Sequence, residues 1–314
     1  MMLHHYLSGF VTKRSYVNLV SVQAKHWDVA DVFSGLDVSE ATRKDYEYRI
    51  GLFIVRLRSE PFTTNTFINF KRYLDSRSDY SVSTKNKYLA SARIFLRELH
   101  RRGVIPIDTT LNVKSFSQSK KHKVVGLDDN DIEKLTTYLK SLEQTKQNTR
   151  LRALVALLLY QGLRQIEIVR LNIEDIDFAT NRACVLGKGR DDKEHINLHP
   201  ATVSALRSYL KAYKKANGAL FTPITRKPTQ RLTTRGLRKI VQQAMCNAGI
   251  YKTVHGFRHY YTTKLIQSYK GDLLRVACYT RHRSIEMLQV YFDGINEQED
   301  LPRYYAVFES LKLY

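Results

Sequence analysis

Along most of this 314-residue chain, apolar residues recur at the three- and four-residue spacing of one helix face. Tyr46, Ile50, Phe53, Ile54 and Leu57 form such a stripe behind Ser39-Glu40-Ala41-Thr42, where Ser39 offers an N-cap hydroxyl. Ile132, Leu135 and Leu139 form another behind Asp128, a second good cap. From Leu151 to Tyr160 the chain is apolar nearly all round, which predicts a helix buried in a core. The pattern changes only between Ile173 and Leu198. There Ile176 and Phe178, then Ala183 to Leu186, then His195 to Leu198 read as strands. Thr180-Asn181 and Gly189-Arg190-Asp191-Asp192 supply the turns between them. Helical spacing resumes at Thr202. The chain is therefore mainly α, with one small antiparallel sheet set inside its second half.

The same pattern divides the chain. Residues 1–36 show no clear period and read as an N-terminal extension, with a short helix expected around Tyr16 to Val29. A helical domain is expected over 37–112. Lys114 to Lys123 is polar and basic with no core positions, so 113–124 reads as an interdomain linker. A second domain spans 125–300. The tail, 301–314, places Tyr305, Phe308 and Leu311 at helical spacing after Pro302.

Charge narrows the class of partner. Lys and Arg number 51 against 30 Asp and Glu, a net charge of +21. Such an excess points to a polyanion, with nucleic acid first and an acidic membrane surface second. No stretch approaches the roughly 20 apolar residues of a membrane span, so no membrane partner is expected. The N-terminus, with His4, His5, Lys13 and Arg14, has no signal-peptide pattern. Cys184, Cys246 and Cys278 are scattered and lack metal-ligand spacing, so they read as buried apolar residues of a cytoplasmic protein.

Six residues in the second half carry matched chemistry: Arg164, Lys188, His255, Arg258, His282 and Tyr291. Arg164 follows a glycine break and opens a new helix. Lys188 sits in Gly187-Lys188-Gly189, a hairpin loop able to pass close to a ligand. His255 and Arg258 lie three apart in His255-Gly256-Phe257-Arg258-His259, on one face of a helix. His282 and Tyr291 are nine apart, around the apolar positions Ile285 and Leu288, so one short helix is expected to carry both toward a pocket. Taken singly, Tyr291 is one of 20 tyrosines and would ordinarily be structural. The set decides.

In these blocks the chain resembles the tyrosine recombinases, the family of phage integrases and Xer-type resolvases. Gly162-Leu163-Arg164-Gln165-Ile166-Glu167, Gly187-Lys188-Gly189, His255 through His259 and His282 through Tyr291 occur in the family's order. Arg164 to Lys188 and Arg258 to His282 are both 24 residues, close to the family's separations. In the first half, Ser83-Thr84-Lys85-Asn86-Lys87-Tyr88 through Phe95 to Gly103 looks like the last helix of the family's core-binding domain, with Gly103 as its cap. The resemblance covers about Asp37 to Tyr291. It implies a SAM-like helical core-binding domain followed by a helical catalytic domain. One position departs from the pattern: the family usually has Gly before the residue matched by His282, and here it is Arg281. If the turn needs a positive φ, arginine there would be strained; otherwise the turn is built differently or the side chain is used on DNA.

The resemblance implies a site-specific recombinase for integration, excision or resolution. Arg164 and Arg258 would hold the scissile phosphate through bidentate, permanently charged donors. Tyr291 would attack, with His255 as the best candidate base, since a tyrosine of pKa about 10 is protonated at neutral pH. Lys188 would protonate the leaving 5′-oxygen, His282 would hold a nonbridging oxygen, and Glu167 would orient its neighbours. The product would be a 3′-phosphotyrosyl link. No metal or cofactor is expected. The implied partner is double-stranded DNA at a specific core site, bound by a homotetramer that passes through a Holliday junction, with accessory proteins left open and the tail docking in cis or in trans. The rivals are a type IB topoisomerase, which uses the same chemistry, and a catalytically silent DNA-binding relative.

Overall fold

A computed structural model describes residues 28–118, 126–187, 189, 191–214, 216–224, 230–282, 284–292, 305–307 and 309. The chain divides into two compact units, Met1–Ser119 and Lys120–Tyr314.

The first unit is helical throughout its described part: α1 Val29–Ser34, α2 Glu40–Ser59, α3 Thr66–Ser76 and α4 Val82–Arg101. Ser39 and Ser81 cap α2 and α4 by accepting from the backbone N–H three residues on, at Thr42 and Thr84. Phe33, Phe53, Phe67, Phe70 and Phe95 are almost wholly buried at its centre, each contributing about 1.5–3 kcal/mol by leaving water. Phe33 comes from α1, so residues before Leu36 contribute to this core. Of the helix expected around Tyr16 to Val29, residues before Asp28 lie outside the described part, and α1 begins where that stretch ends. Gly103 adopts φ 68° just beyond α4, as a helix-ending glycine does.

Part of the expected linker is fixed to this unit. Asn86 bonds Phe116 in both directions, its Nδ2 donating to the carbonyl at 3.0 Å and its Oδ1 accepting from the N–H at 2.9 Å. Lys71 and Lys85 lie over the Phe116 ring. The side-chain amide replaces a backbone partner, which is how a segment without core periodicity becomes ordered.

The second unit is built round α6. Its helices are α5 Asp129–Ser141, α6 Lys146–Gln161, α7 Gln165–Arg170, α8 Pro200–Tyr213, α9 Thr234–Asn247, α10 Gly256–Ser268, α11 Leu273–Thr280 and α12 Glu286–Phe292. As the apolar run predicts, α6 is buried on almost every side. Asp128 and Asp131 form a reciprocal capping box at the start of α5. Strands β1 Ile176–Asp177, β2 Arg182–Leu186 and β3 Lys193–Asn197 pair in that order, all antiparallel. Residues 305–307 are helical, with Tyr305 and Val307 exposed; Phe308 and Leu311 lie outside the described part. No helix among the described residues is long and apolar enough to cross a membrane.

Two expectations fail here. The cysteines are not buried: Cys184 and Cys246 are half-buried and Cys278 is exposed. Cys184 instead faces His195 across the hairpin, Sγ to Nδ1 3.3 Å. Nor do His282 and Tyr291 share one helix. Arg281 takes a left-handed conformation that ends α11, and the chain turns through His282 before α12 begins at Glu286.

Candidate active site

Gly162 is the hinge on which the site is built. It ends α6 at φ 56°, a region costly for any residue with a Cβ. A Cβ there would also fall 2.2 Å from Cδ1 of Tyr261. The turn lets the chain leave the buried helix and start α7 three residues later, with Arg164 at the N-cap position.

Glu167 fixes Arg164 at both ends. One carboxylate oxygen accepts from the Arg164 backbone N–H at 2.8 Å and the other from its guanidinium at 2.9 Å. Glu167 is fully buried, so its charge needs these donors. Arg164 remains about one-quarter exposed at 27 % of its side chain, open to a ligand.

Arg258, on α10, is almost fully enclosed. It donates to the Gly162 carbonyl at 2.7 Å and to the Thr280 carbonyl at 2.6 Å. Both acceptors are carbonyls at helix ends, where backbone oxygens lack intrahelical partners. One cation thus joins the ends of α6 and α11.

His282 lies on the turn after α11, with Nε2 3.3 Å from Arg258 Nη2 and Nδ1 2.6 Å from Thr280 Oγ1. Arginine has no acceptor, so Nε2 accepts and Nδ1 carries the proton toward Thr280. Thr280 Oγ1 in turn donates to the Val276 carbonyl at 2.8 Å. Burial, then Arg258, Arg164 and Arg281, push the His282 pKa down to about 3. The imidazole is therefore neutral. To donate to a phosphate oxygen, Nε2 has to gain a proton, which an incoming anion beside the arginines favours.

The remaining predicted residues sit apart or in part outside the described structure. His255 is the residue before α10 and is exposed, with its ring edge-on to His259 at 5.1 Å. Three residues from Arg258, it does not share that residue's buried environment, because it stands where the helix begins rather than within it. Lys188 lies outside the described residues. Its hairpin is held near α7, since Arg170 Nη1 donates to the Gly187 carbonyl at 3.2 Å. Lys193, on the same hairpin, pairs with the buried carboxylate of Asp175. Tyr291 lies in the last turn of α12. Leu288, three residues earlier and fully buried, seats that helix on α10 and α11 through Ile266 and Val276.

Of the alternatives at Arg281, the turn does have a positive φ, 54°, with arginine in it, and the side chain is turned inward, 8 % exposed. Its Nη2 lies 2.7 Å from Glu167 Oε2, and its Nε lies 3.7 Å from Glu194 Oε2 on β3. Burial lowers the Arg281 pKa, opposed by Glu167. Thr280, buried and bonded to His282, was missed; the only trace was its place two residues before a candidate histidine. His259, Tyr260 and Tyr261 are packing residues: His259 is buried, Tyr260 donates to Asp129 at 2.8 Å, and Tyr261 fills the space beside Gly162. Among the described residues, no cluster of His, Cys, Asp or Glu could hold a metal ion.

Comparison with known proteins places the chain in a family. Residues 126–297 match the model of the phage integrase family. The tyrosine recombinase XerD of Listeria innocua is 28% identical over 279 residues, covering 81% of this chain and 88% of the relative. XerC of Lactobacillus delbrueckii subsp. bulgaricus is 28% identical over 219 residues, covering 67% and 71%. A crystal structure of the XerH site-specific recombinase bound to palindromic difH substrate, a post-cleavage complex, has the same fold. It is 20% identical with TM-score 0.68, over 86% of this chain and 80% of that one. The Tn1549 transposon integrase in complex with transposon right end DNA also has TM-score 0.68, at 13% identity over 89% and 99%. Fold and relatives define a site-specific recombinase, an enzyme that cleaves and rejoins DNA. Within that class, the chain belongs to the phage integrase family.

Proposed function

We propose that the chain recombines duplex DNA at a short specific core site through a 3′-phosphotyrosyl intermediate on Tyr291. The observation that carries this reading is the arginine cradle. Arg258 is pinned between two helix ends with His282 against it, and Arg164 is held beside them by a buried carboxylate.

A phosphodiester repels nucleophiles, and its transition state carries extra charge on the nonbridging oxygens. Arg164 and Arg258 meet that charge with donors already fixed in place, so little reorganisation accompanies the reaction. Tyr291 attacks phosphorus from α12, and His255 receives its proton. The exposure of His255 suits a base that works only once DNA covers it. Lys188, on the hairpin, protonates the departing 5′-oxygen. His282 donates to a nonbridging oxygen once Nε2 is protonated. The phosphotyrosyl bond keeps the energy of the broken phosphodiester, so attack by another 5′-hydroxyl rejoins the strand without a nucleotide cofactor.

Residues 37–112 act as the core-binding domain and 125–300 as the catalytic domain. Their joint charge, part of the chain's +21, suits a clamp on duplex DNA. Strand exchange between two duplexes needs four active sites, so the working assembly is a homotetramer around a Holliday junction.

The test is Tyr291→Phe, which removes one oxygen. Wild type and variant are incubated with a nicked suicide duplex and resolved on a denaturing gel. The variant is expected to bind DNA with unchanged affinity and form no covalent adduct. An adduct that survives the substitution moves the nucleophile elsewhere, with Tyr279 the first alternative.

A further inference from the structure

Arg281 occupies a backbone position that suits glycine, and its side chain reaches two other segments of the candidate site. The left-handed conformation, φ 54° and ψ 44°, is unfavourable for arginine. Something about the side chain therefore outweighs the turn's preference. The side chain is 8% exposed and its guanidinium lies 2.7 Å from Glu167, whose carboxylate also holds Arg164. Its own backbone carries the next residue, His282. Its Nε faces Glu194 on β3, in the hairpin that contains Lys188.

We propose that Arg281 is a positioning residue for strand cleavage: through Glu167 it locks the turn that carries His282 to the helix end that carries Arg164. Those segments are more than a hundred residues apart in sequence and come from different helices. Arg258 ties the same two regions together through the Gly162 and Thr280 carbonyls. Arg281 adds a second tie, directed at a side chain rather than at the backbone. Two ties fix an orientation that one alone leaves free to rotate. Arg281 itself is too enclosed to meet a phosphate. Its effect passes through Glu167 to the orientation of the Arg164 guanidinium, with a weaker restraint on the hairpin through Glu194.

This inference rests on the proposed roles of Arg164 and His282. The removal of Arg281 need not unfold the protein. Glu167 keeps Arg164 as its counter-charge, and glycine relieves the left-handed strain, so loss of the ion pair and relief of the turn oppose each other.

The experiment is single-turnover cleavage of a suicide duplex by the full chain, with DNA affinity and thermal unfolding measured in parallel. Arg281→Gly is expected to slow cleavage about 10- to 100-fold, the scale of a small misplacement of a reacting group. DNA affinity should stay within about threefold, because the contact is internal. Arg281→Lys should recover part of the rate. Combining Arg281→Gly with Glu167→Gln should be hardly slower than Glu167→Gln alone, since the two act through one contact. If Arg281→Gly fails to fold, Arg281→Asn, which tolerates the same backbone, takes its place. Wild-type cleavage by Arg281→Gly, or a double variant that loses the product of the single losses, overturns the proposal. Arg164→Ala separates the two levels: an inactive Arg164→Ala beside a fully active Arg281→Gly removes only Arg281, whereas a fully active Arg164→Ala removes the site.

Discussion

Two residues three apart at the start of α10 stand in opposite environments. Arg258 is almost fully buried and bonded to two backbone carbonyls, while His255 is exposed with its ring against His259. The same contrast separates the arginine cradle from the β2–β3 hairpin, where Gly189, Asp191 and Asp192 are exposed. Groups proposed to neutralise phosphate charge are fixed before DNA arrives. His255, proposed to move a proton, stands exposed at a helix end. The difference follows from the two tasks. Electrostatic stabilisation gains most from donors that need not reorganise, in surroundings that exclude water. Proton transfer needs access and a pKa near the working pH, which burial beside three arginines works against, as the lowered pKa of the half-buried His282 shows.

The largest expected effect sets the two groups directly against each other. Lys188→Ala should slow cleavage of ordinary DNA by roughly 10²–10⁴-fold, the range for one proton-transfer group. A 5′-bridging sulfur leaves as a thiolate that scarcely needs a proton, so it should restore the variant to nearly the wild-type rate. Arg258→Ala, which loses charge stabilisation worth about 10²–10³ in rate, should remain slow on the same substrate. Rescue of both variants, or of neither, breaks the division, and Lys193 is then a poor substitute, because Asp175 already engages it.

A second test sharpens the claim that the cradle depends on the hinge beneath it. Gly162→Ala forces a Cβ into a left-handed turn and against the Tyr261 ring. The backbone term is about 1–2 kcal/mol and the overpacking about 1–3 kcal/mol. Denaturant unfolding should show a loss of about 2–5 kcal/mol, the sum of those terms. A loss below about 0.5 kcal/mol, the scale of an ordinary surface change, would mean that the hinge is not fixed as described.

The smallest effect concerns acid. His282 has a folded pKa of about 3 against an ordinary value of 6.5, so between those values the unfolded chain binds the extra proton. Its contribution to stability is complete above pH 6.5 and is lost progressively as the pH falls toward 3. Tm measured from pH 7 to pH 4 should therefore fall more steeply for wild type than for His282→Gln. Parallel curves would mean that His282 is not held neutral in the fold.

Much of the frame was legible in the sequence because its causes are local. Ser39 and Asp128 cap the helices they announce, the apolar run at Leu151 becomes the central helix, and the turn residues around Asn181 and Gly189 delimit the sheet. In the site, Arg164, Arg258 and His282 come together, and Glu167 bonds Arg164. What escaped was long-range. Nothing near Arg281 indicates that its partner is Glu167, 114 positions away, because that pairing exists only once α7 and α11 have packed. The cysteines failed for a related reason: residue type gives an average burial, whereas Cys184 lies on a hairpin face that the core does not cover.

The measurement that bears most directly on the central claim is the chemical identity of the protein–DNA link. The full chain is trapped on a suicide duplex and digested with protease and nuclease, and the nucleotide-bearing peptide is sequenced by mass spectrometry. The expected result is one modified peptide, with phosphate on the phenolic oxygen of Tyr291 and a free 5′-hydroxyl on the released strand. A link at any other residue, or a 5′-phosphate on the released strand, would contradict the account.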